Sequence, residues 1–406
     1  MGSGPTTPVA PAERIEILDV LRGFAILGIL LVNAEMFFTP ISLPVSGETW
    51  WRAPHDRIAE AVVVFVAQAK FYALFSFLFG LGFAIQSERA AARGATVARF
   101  FAARLGWLAG LGLVHALLVW FGDILFLYAI LGFLLIPFRG RRQRTLILWI
   151  CLLFALPIVL QVVRLGSFEM EQLAATRESM VELTETARVA YAQGSLGEIF
   201  SIRAREWGMV VGFGLLGFGP QILGLFVVGL AFGQARFFDD LPARLPRMRS
   251  ALPILLACGT VGGALQVAGS QTGDPLVPSF LGLLTSAAQM LLAPAMTAAY
   301  VCAICLAWQH ATWRRRLGLL APVGRMALSN YLLHSVAFTL LAYSFGFGLY
   351  GRVPPAVAVI LTCGVYAAQI PLSRCWLARY RFGPVEWLWR SLTYRARQPM
   401  RRTGSL

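Results

Sequence analysis

Long apolar runs recur along this sequence about every thirty to forty residues, separated by short segments rich in arginine. In hydrocarbon, a run of about twenty such residues can satisfy its own backbone only as a helix. Hydrophobic residues make up 58% of the 406 and charged residues only 14%, a balance foreign to soluble domains. The short alternating segments of a membrane β-barrel do not dominate. The chain therefore reads as all-α, a polytopic transmembrane helix bundle of about ten spans.

The formal net charge of +15 would suit nucleic acid if it lay on one face. The arginines instead cluster between apolar runs, as in Arg139, Arg141, Arg142 and Arg144, or in Arg314, Arg315 and Arg316. That is the mark of cytoplasmic loops, so membrane lipids are expected as partners and nucleic acid is not. Arginine-rich and arginine-poor loops alternate, which puts both termini in the cytoplasm. Glu13, Glu16 and Asp19 interrupt the basic region a cleaved signal peptide would need. Residues 1–14, rich in Pro and Ala, read as disordered, and 15–164 as membrane helices 1–5. Residues 165–203 read as an extracytoplasmic helical segment, 204–380 as helices 6–10, and 381–406 as a basic cytoplasmic tail. A homo-oligomer is compatible with this layout.

Polar residues inside apolar runs are costly and mark function by default. The stretch GLVHALLVWFGDILFL, residues 112–127, carries two of them, His115 and Asp123. Gly122 and Asp123 read as a tight turn between a third span, about 105–121, and a fourth, about 124–138. In that geometry His115 lies roughly two turns, about 12 Å, deeper than Asp123. A packing histidine and a helix-capping aspartate are the plainer alternative. Asp19 and Arg22 stand three apart and can pair on one helical face. Asn33 follows Arg22 by eleven residues, close to three turns, so both project from nearly one side. Lys70, the only lysine, falls near the middle of a second span at about 59–86 and needs a partner or an aqueous cavity there. Arg325, Ser329, Asn330 and His334 occupy the start of the ninth span, with Asn330 and His334 four apart on one face. The sixth span is glycine-rich, and Gly208, Gly212, Gly217, Gly224 and Gly229 read as sites of close helix approach. Cys302 and Cys305 form a CxxC without a redox context, and no metal site is expected.

These pieces resemble the YeiB family of bacterial polytopic membrane proteins, the domain of unknown function 418. The match rests on LDVLRGFAILGILLVN at 18–33, KFYALFSFLFGLG at 70–82, HALLVWFGDIL at 115–125, GRMALSNYLL at 324–333 and GPVEWLWRSLT at 383–393. The resemblance implies a multi-pass protein of the bacterial inner membrane. More distantly, the first span is similar to the opening helix of the acyltransferase-three proteins and of heparan-alpha-glucosaminide N-acetyltransferase. In the former an LDGLRG-type motif leads to a histidine where this chain has Asn33. The heparan enzyme looks similar in having asparagine there. That departure implies that a catalytic base must come from elsewhere, and His115 is the residue best suited to it.

Two functions of different class follow. In a membrane acyltransferase, acyl-CoA would be the co-substrate. Arg22 and Arg325 would hold its phosphates, His115 would act as base oriented by Asp123, and Asn33 or Lys70 would stabilise the oxyanion. Asp19, Ser329, Asn330 and His334 would line the substrate path. In a carrier or flippase, Lys70, His115, Asp123 and Asn33 would line a passage for an anionic or amphipathic solute. A structural partner protein of the envelope is the third, plainer reading.

Overall fold

The computed structural model describes residues 15–92, 94, 96–166 and 170–402; the N-terminal stretch read as disordered lies outside them. Apart from an isolated bridge between Tyr380 and Arg401, regular structure among the described residues is helical. Among the described residues, eight helical stretches are long and apolar enough to cross a membrane, and two shorter apolar helices, Leu125–Phe138 and Ala327–Ala342, fall where the fourth and ninth spans were expected. The polytopic α-helical bundle read from the sequence is what the chain forms.

The first helix, α1 (Glu16–Met36), is the axis of the bundle. Buried residues make up 61% of its most apolar window, against 11% for α7 (Gln143–Gly166), whose apolar surface is left for lipid. Between them in sequence come α2 (Leu43–Ser46), α3 (Pro54–Val66), α4 (Lys70–Ala92), α5 (Val97–Leu118) and α6 (Leu125–Leu135). After α7 follow α8 (Met170–Gln193), α9 (Leu196–Phe213), α10 (Gly219–Gln234), α11 (Leu241–Thr272), α12 (Phe280–Ala287) and α13 (Ala293–Ala307). The chain closes with α14 (Ala311–Leu317), α15 (Ala321–Arg325), α16 (Ala327–Ala342), α17 (Pro355–Arg379) and the tail helix α18 (Pro384–Tyr394).

The second span is not one continuous helix. The chain breaks at residues 67–69, where Ala69 takes φ 67°, and resumes as α4 with Lys70 its first residue. A break leaves the last carbonyls of α3 without helical partners. The Lys70 ammonium supplies one, donating to the Val64 carbonyl at 2.9 Å and also to Gln266 Oε1. Tyr300 donates its hydroxyl to the Val66 carbonyl at 2.9 Å. Lys70 therefore stands at a helix start, fully buried, with one donor used to close a gap in the backbone ladder and another on the Gln266 side chain.

The glycine-rich sixth span is broken as well. A π-helical turn at Gly214–Phe218 separates α9 from α10, and Pro220 sits in the first turn of α10, where its missing N–H costs nothing. Gly229 is a site of close approach, since a Cβ there would lie 2.0 Å from the Phe77 carbonyl oxygen of α4. Gly208, Gly212 and Gly217 have open space around them and do not serve packing in that way.

Helix α9 begins in the polar segment, with a Ser195–Glu198 capping box, and runs on without interruption to Phe213. Its Arg203 donates to the Leu117 carbonyl at 2.9 Å, and Glu206 accepts from the Tyr191 hydroxyl of α8 at 2.6 Å. These contacts lock the α8–α9 pair onto the end of α5 that carries His115.

Candidate functional site

His115 lies in the last turn of α5, and the chain then leaves the helix for residues 119–124. That connection does not run out to a distant turn. It folds back along α5, and α6 starts beside Gly112, where a Cβ would lie 2.4 Å from Phe126 N and 2.7 Å from Asp123 Oδ1. Only glycine lets the start of α6 come so close. Asp123 Oδ1 accepts from the Phe126 backbone N–H at 2.8 Å, as a helix cap should. Asp123 Oδ2 meets His115 Nδ1 at 2.8 Å. The expected separation of about 12 Å is thus wrong, because the loop carries Asp123 back into the bundle, and α6 is short for the same reason.

Both residues are only 2% exposed. A carboxylate can only accept, so it holds the proton on Nδ1 and leaves the Nε2 lone pair available. Nε2 is buried and has no hydrogen-bond partner among the described residues. An oriented imidazole with one free, desolvated nitrogen is equipped to take a proton from an incoming hydroxyl or amine.

Next to this pair lies a cavity of about 240 Å³ lined by α1, α4, α5, α6, α15, α16 and α18. Four arginines line it, Arg22, Arg104, Arg325 and Arg390, against two carboxylates, Asp19 and Glu386. Asp19 is spent on Arg22 at 2.8 Å, the ion pair expected from their spacing. The Arg104 guanidinium lies 3.5 Å from the Trp389 ring centre, and Trp389 Nε1 donates to the Arg104 carbonyl at 2.9 Å. Phe75, Phe79, Phe83 and Phe101 form an apolar wall, and Ile124, Leu125 and Tyr331 belong to the lining beside the start of α6. A cationic and apolar lining of this kind suits an amphipathic anion.

Glu386 docks the tail. Its Oε1 accepts from the N–H groups of Leu328 and Ser329 at 2.7 and 3.0 Å, and its Oε2 meets the Ser329 hydroxyl at 2.5 Å. The Val385 N–H donates to the same hydroxyl oxygen at 3.1 Å. Burial pushes the Glu386 carboxyl above its ordinary range, against the opposing pull of those hydrogen bonds.

Of the residues singled out in the sequence, Arg22, Arg325 and Asp19 line the cavity, while His115 and Asp123 pair beside it. Ser329 reaches it through Glu386. Asn330 donates to the Val323 carbonyl and to Ser373, and His334 meets Gln369 at 2.6 Å, so this pair fixes α16 to α17. Asn33 is half-buried and outside the cavity lining, and Lys70 is held by α3 and α11. Sequence reasoning missed Arg104, Arg390, Trp389, Glu386 and Tyr331. The signal was in hand for the tail, since GPVEWLWRSLT is one of the family-like stretches.

Residues 232–396 match the family model described as "Protein of unknown function (DUF418)". Over its length the chain is 34% identical to the uncharacterized protein YxaH of Bacillus subtilis (strain 168), covering 97% of each. It is 31% identical to the uncharacterized protein YeiB of Escherichia coli (strain K12), covering 95% of this chain and 98% of that one. The chain belongs to the DUF418 family. A 39.9 kDa protein of Bacillus acidopullulyticus is 29% identical, over 97% of both. These bacterial relatives match nearly end to end, so α1, α5 and the tail helix of this DUF418 chain all fall inside the shared region.

Proposed function

We propose that this DUF418 protein is an integral-membrane acyltransferase. It takes an acyl group from cytoplasmic acyl-CoA and passes it to a hydroxyl or amine acceptor on the extracytoplasmic side. One observation carries the reading: an Asp-oriented histidine with a buried, unpartnered Nε2 stands next to an arginine-lined, apolar-walled cavity. The alternation of arginine-rich and arginine-poor loops supports a cavity mouth that opens, with both termini, to the cytoplasmic side of a bacterial inner membrane. At about 240 Å³ the cavity suits a thioester arm, with the nucleotide held at the mouth by Arg22, Arg325, Arg104 and Arg390.

The chemistry is acyl transfer. His115 takes the acceptor proton at Nε2, and the freed acceptor oxygen or nitrogen attacks the thioester carbonyl. The C–S bond breaks, and the imidazolium returns the proton to the departing thiolate. Asp123 stabilises the imidazolium between these steps. Lys70 and Asn33, considered for the oxyanion, lie outside the cavity, and Lys70 has two of its three donors committed elsewhere.

The test is transfer of label from radiolabelled acyl-CoA to envelope material in proteoliposomes, comparing wild type with His115→Asn. Asparagine can still donate an amide N–H to Asp123, so the fold is kept, while transfer should fall about 10²–10⁴-fold. Unchanged transfer in the folded variant would remove His115 as base. Solute accumulation without any covalent product would favour a carrier instead.

A further inference from the structure

We infer that Tyr331 is a positioning residue, the gate that closes the arginine-lined cavity off from His115. The inference rests on the donor-cavity reading above. Tyr331 lines the cavity, whereas His115 and Asp123 do not. Its ring centre stands 5.4 Å from that of His115. Its hydroxyl donates to the Gly122 carbonyl and accepts from the Ile124 N–H, each at 3.4 Å, so it is fastened to the residues on both sides of Asp123. The phenol therefore bridges from α16 to the start of α6 directly over the catalytic pair.

Both fastenings are long for hydrogen bonds and correspondingly weak, so the latch opens at little cost. The side chain is only 5% exposed, so in the closed state it keeps water from the imidazole. A thioester arm entering between the phenylalanines reaches Nε2 only after the ring turns aside. Water exclusion before donor entry protects a reactive thioester from hydrolysis, which is what such a gate contributes.

The experiment reads access to the imidazole and needs no acceptor. Full-length protein in detergent is treated with diethyl pyrocarbonate, and carbethoxylation is followed peptide by peptide in wild type, Tyr331→Phe and Tyr331→Ala. His334 is the internal control, being on the same helix and equally buried against Gln369. The gate predicts that His115 in Tyr331→Ala reacts about tenfold faster or more, the factor that roughly 1.4 kcal/mol in an opening equilibrium gives. Tyr331→Phe keeps the ring and loses the latch, so it should fall between the other two, with His334 slow throughout. Equal protection of His115 in all three proteins overturns the gate. A matching rise at His334 also overturns it, because Tyr331 would then be packing alone. Calorimetric binding of acetyl-CoA to wild type tests the donor reading separately. Failure there removes the donor and leaves the access result standing.

Discussion

Glu386→Ala should release the tail helix from the bundle, and Glu386→Gln should not. In the docked state one carboxyl oxygen accepts two backbone N–H groups and the other meets the Ser329 hydroxyl, which also accepts from Val385. The Ser329 hydroxyl donates to Oε2 when the acid is ionised. A protonated acid keeps the same contacts with that bond reversed, its carbonyl oxygen accepting the two N–H groups and its O–H donating to the Ser329 oxygen. A glutamine amide has the same shape and the same donor and acceptor positions. Alanine leaves two N–H groups without partners in a partly buried site and takes from the Ser329 hydroxyl its bond to the carboxyl. Each such bond is worth roughly 0.5–1.5 kcal/mol and a helix cap about 1 kcal/mol, so the loss is about 2–3 kcal/mol in docking. That is about 30- to 150-fold in the opening equilibrium. The tail carries Arg390, Arg395 and Arg397, so limited trypsinolysis reads the opening directly, since cleavage tracks the open population when reclosing is fast. The sign of the pH effect follows from the raised carboxyl. A folded-state value above the ordinary 4.5 favours the protonated form in the docked state. Docking is therefore strongest at and below the ordinary value and weakens as the pH rises through the raised one. Anisotropy of a fluorophore on Arg397→Cys, with the native cysteines removed, should show that slope in the otherwise native chain and none in Glu386→Gln. If glutamine releases the tail as alanine does, the ionised carboxylate is what holds it and the reasoning fails.

Other expectations follow from the geometry around α5 and the broken second span. Gly112→Ala should push the start of α6 away from α5, since its Cβ would meet Phe126 N at 2.4 Å; an overpacking cost of about 1–3 kcal/mol should appear as a lowered thermal transition. Asp123→Asn keeps an N-cap side chain but frees the imidazole to take either tautomer, so transfer should drop while the melting behaviour stays close to wild type. Lys70→Met strands the Gln266 amide oxygen and the Val64 carbonyl, costing about 1–3 kcal/mol in stability. Acyl-CoA binding by the surviving folded fraction should be unchanged, which separates a structural lysine from a ligand-binding one.

The bundle was legible because hydrophobic length and arginine placement are strong, local signals. The Asp19–Arg22 pair was legible for the same reason, as three-residue spacing on a helix nearly fixes the contact. The course of residues 119–124 was not. A Gly-Asp pair between apolar runs looks the same whether it caps a surface turn or returns into the bundle. What decides it is Gly112, ten residues upstream of Gly122, whose missing side chain opens the space. Lys70 misled because hydropathy reads across a helix break that Ala69 makes without any glycine or proline to mark it. The tail was read only as a basic cytoplasmic segment, because Arg and Trp content fits a free tail and a docked one equally well. Only tertiary packing shows Trp389 seated on Arg104 and Glu386 capping α16.

If the arginine-lined cavity holds an acyl-CoA donor beside the His115–Asp123 pair, acetyl-CoA binds the purified protein and Arg22 contributes to its affinity. Titration calorimetry of acetyl-CoA into purified protein, comparing wild type with Arg22→Ala, tests it most directly. Saturable binding to wild type is expected, weakened about tenfold or more in the variant, as the loss of one charge-assisted contact of roughly 1.5–3 kcal/mol requires. Equal binding by both proteins would contradict the cavity assignment, and no binding by wild type would contradict the donor itself.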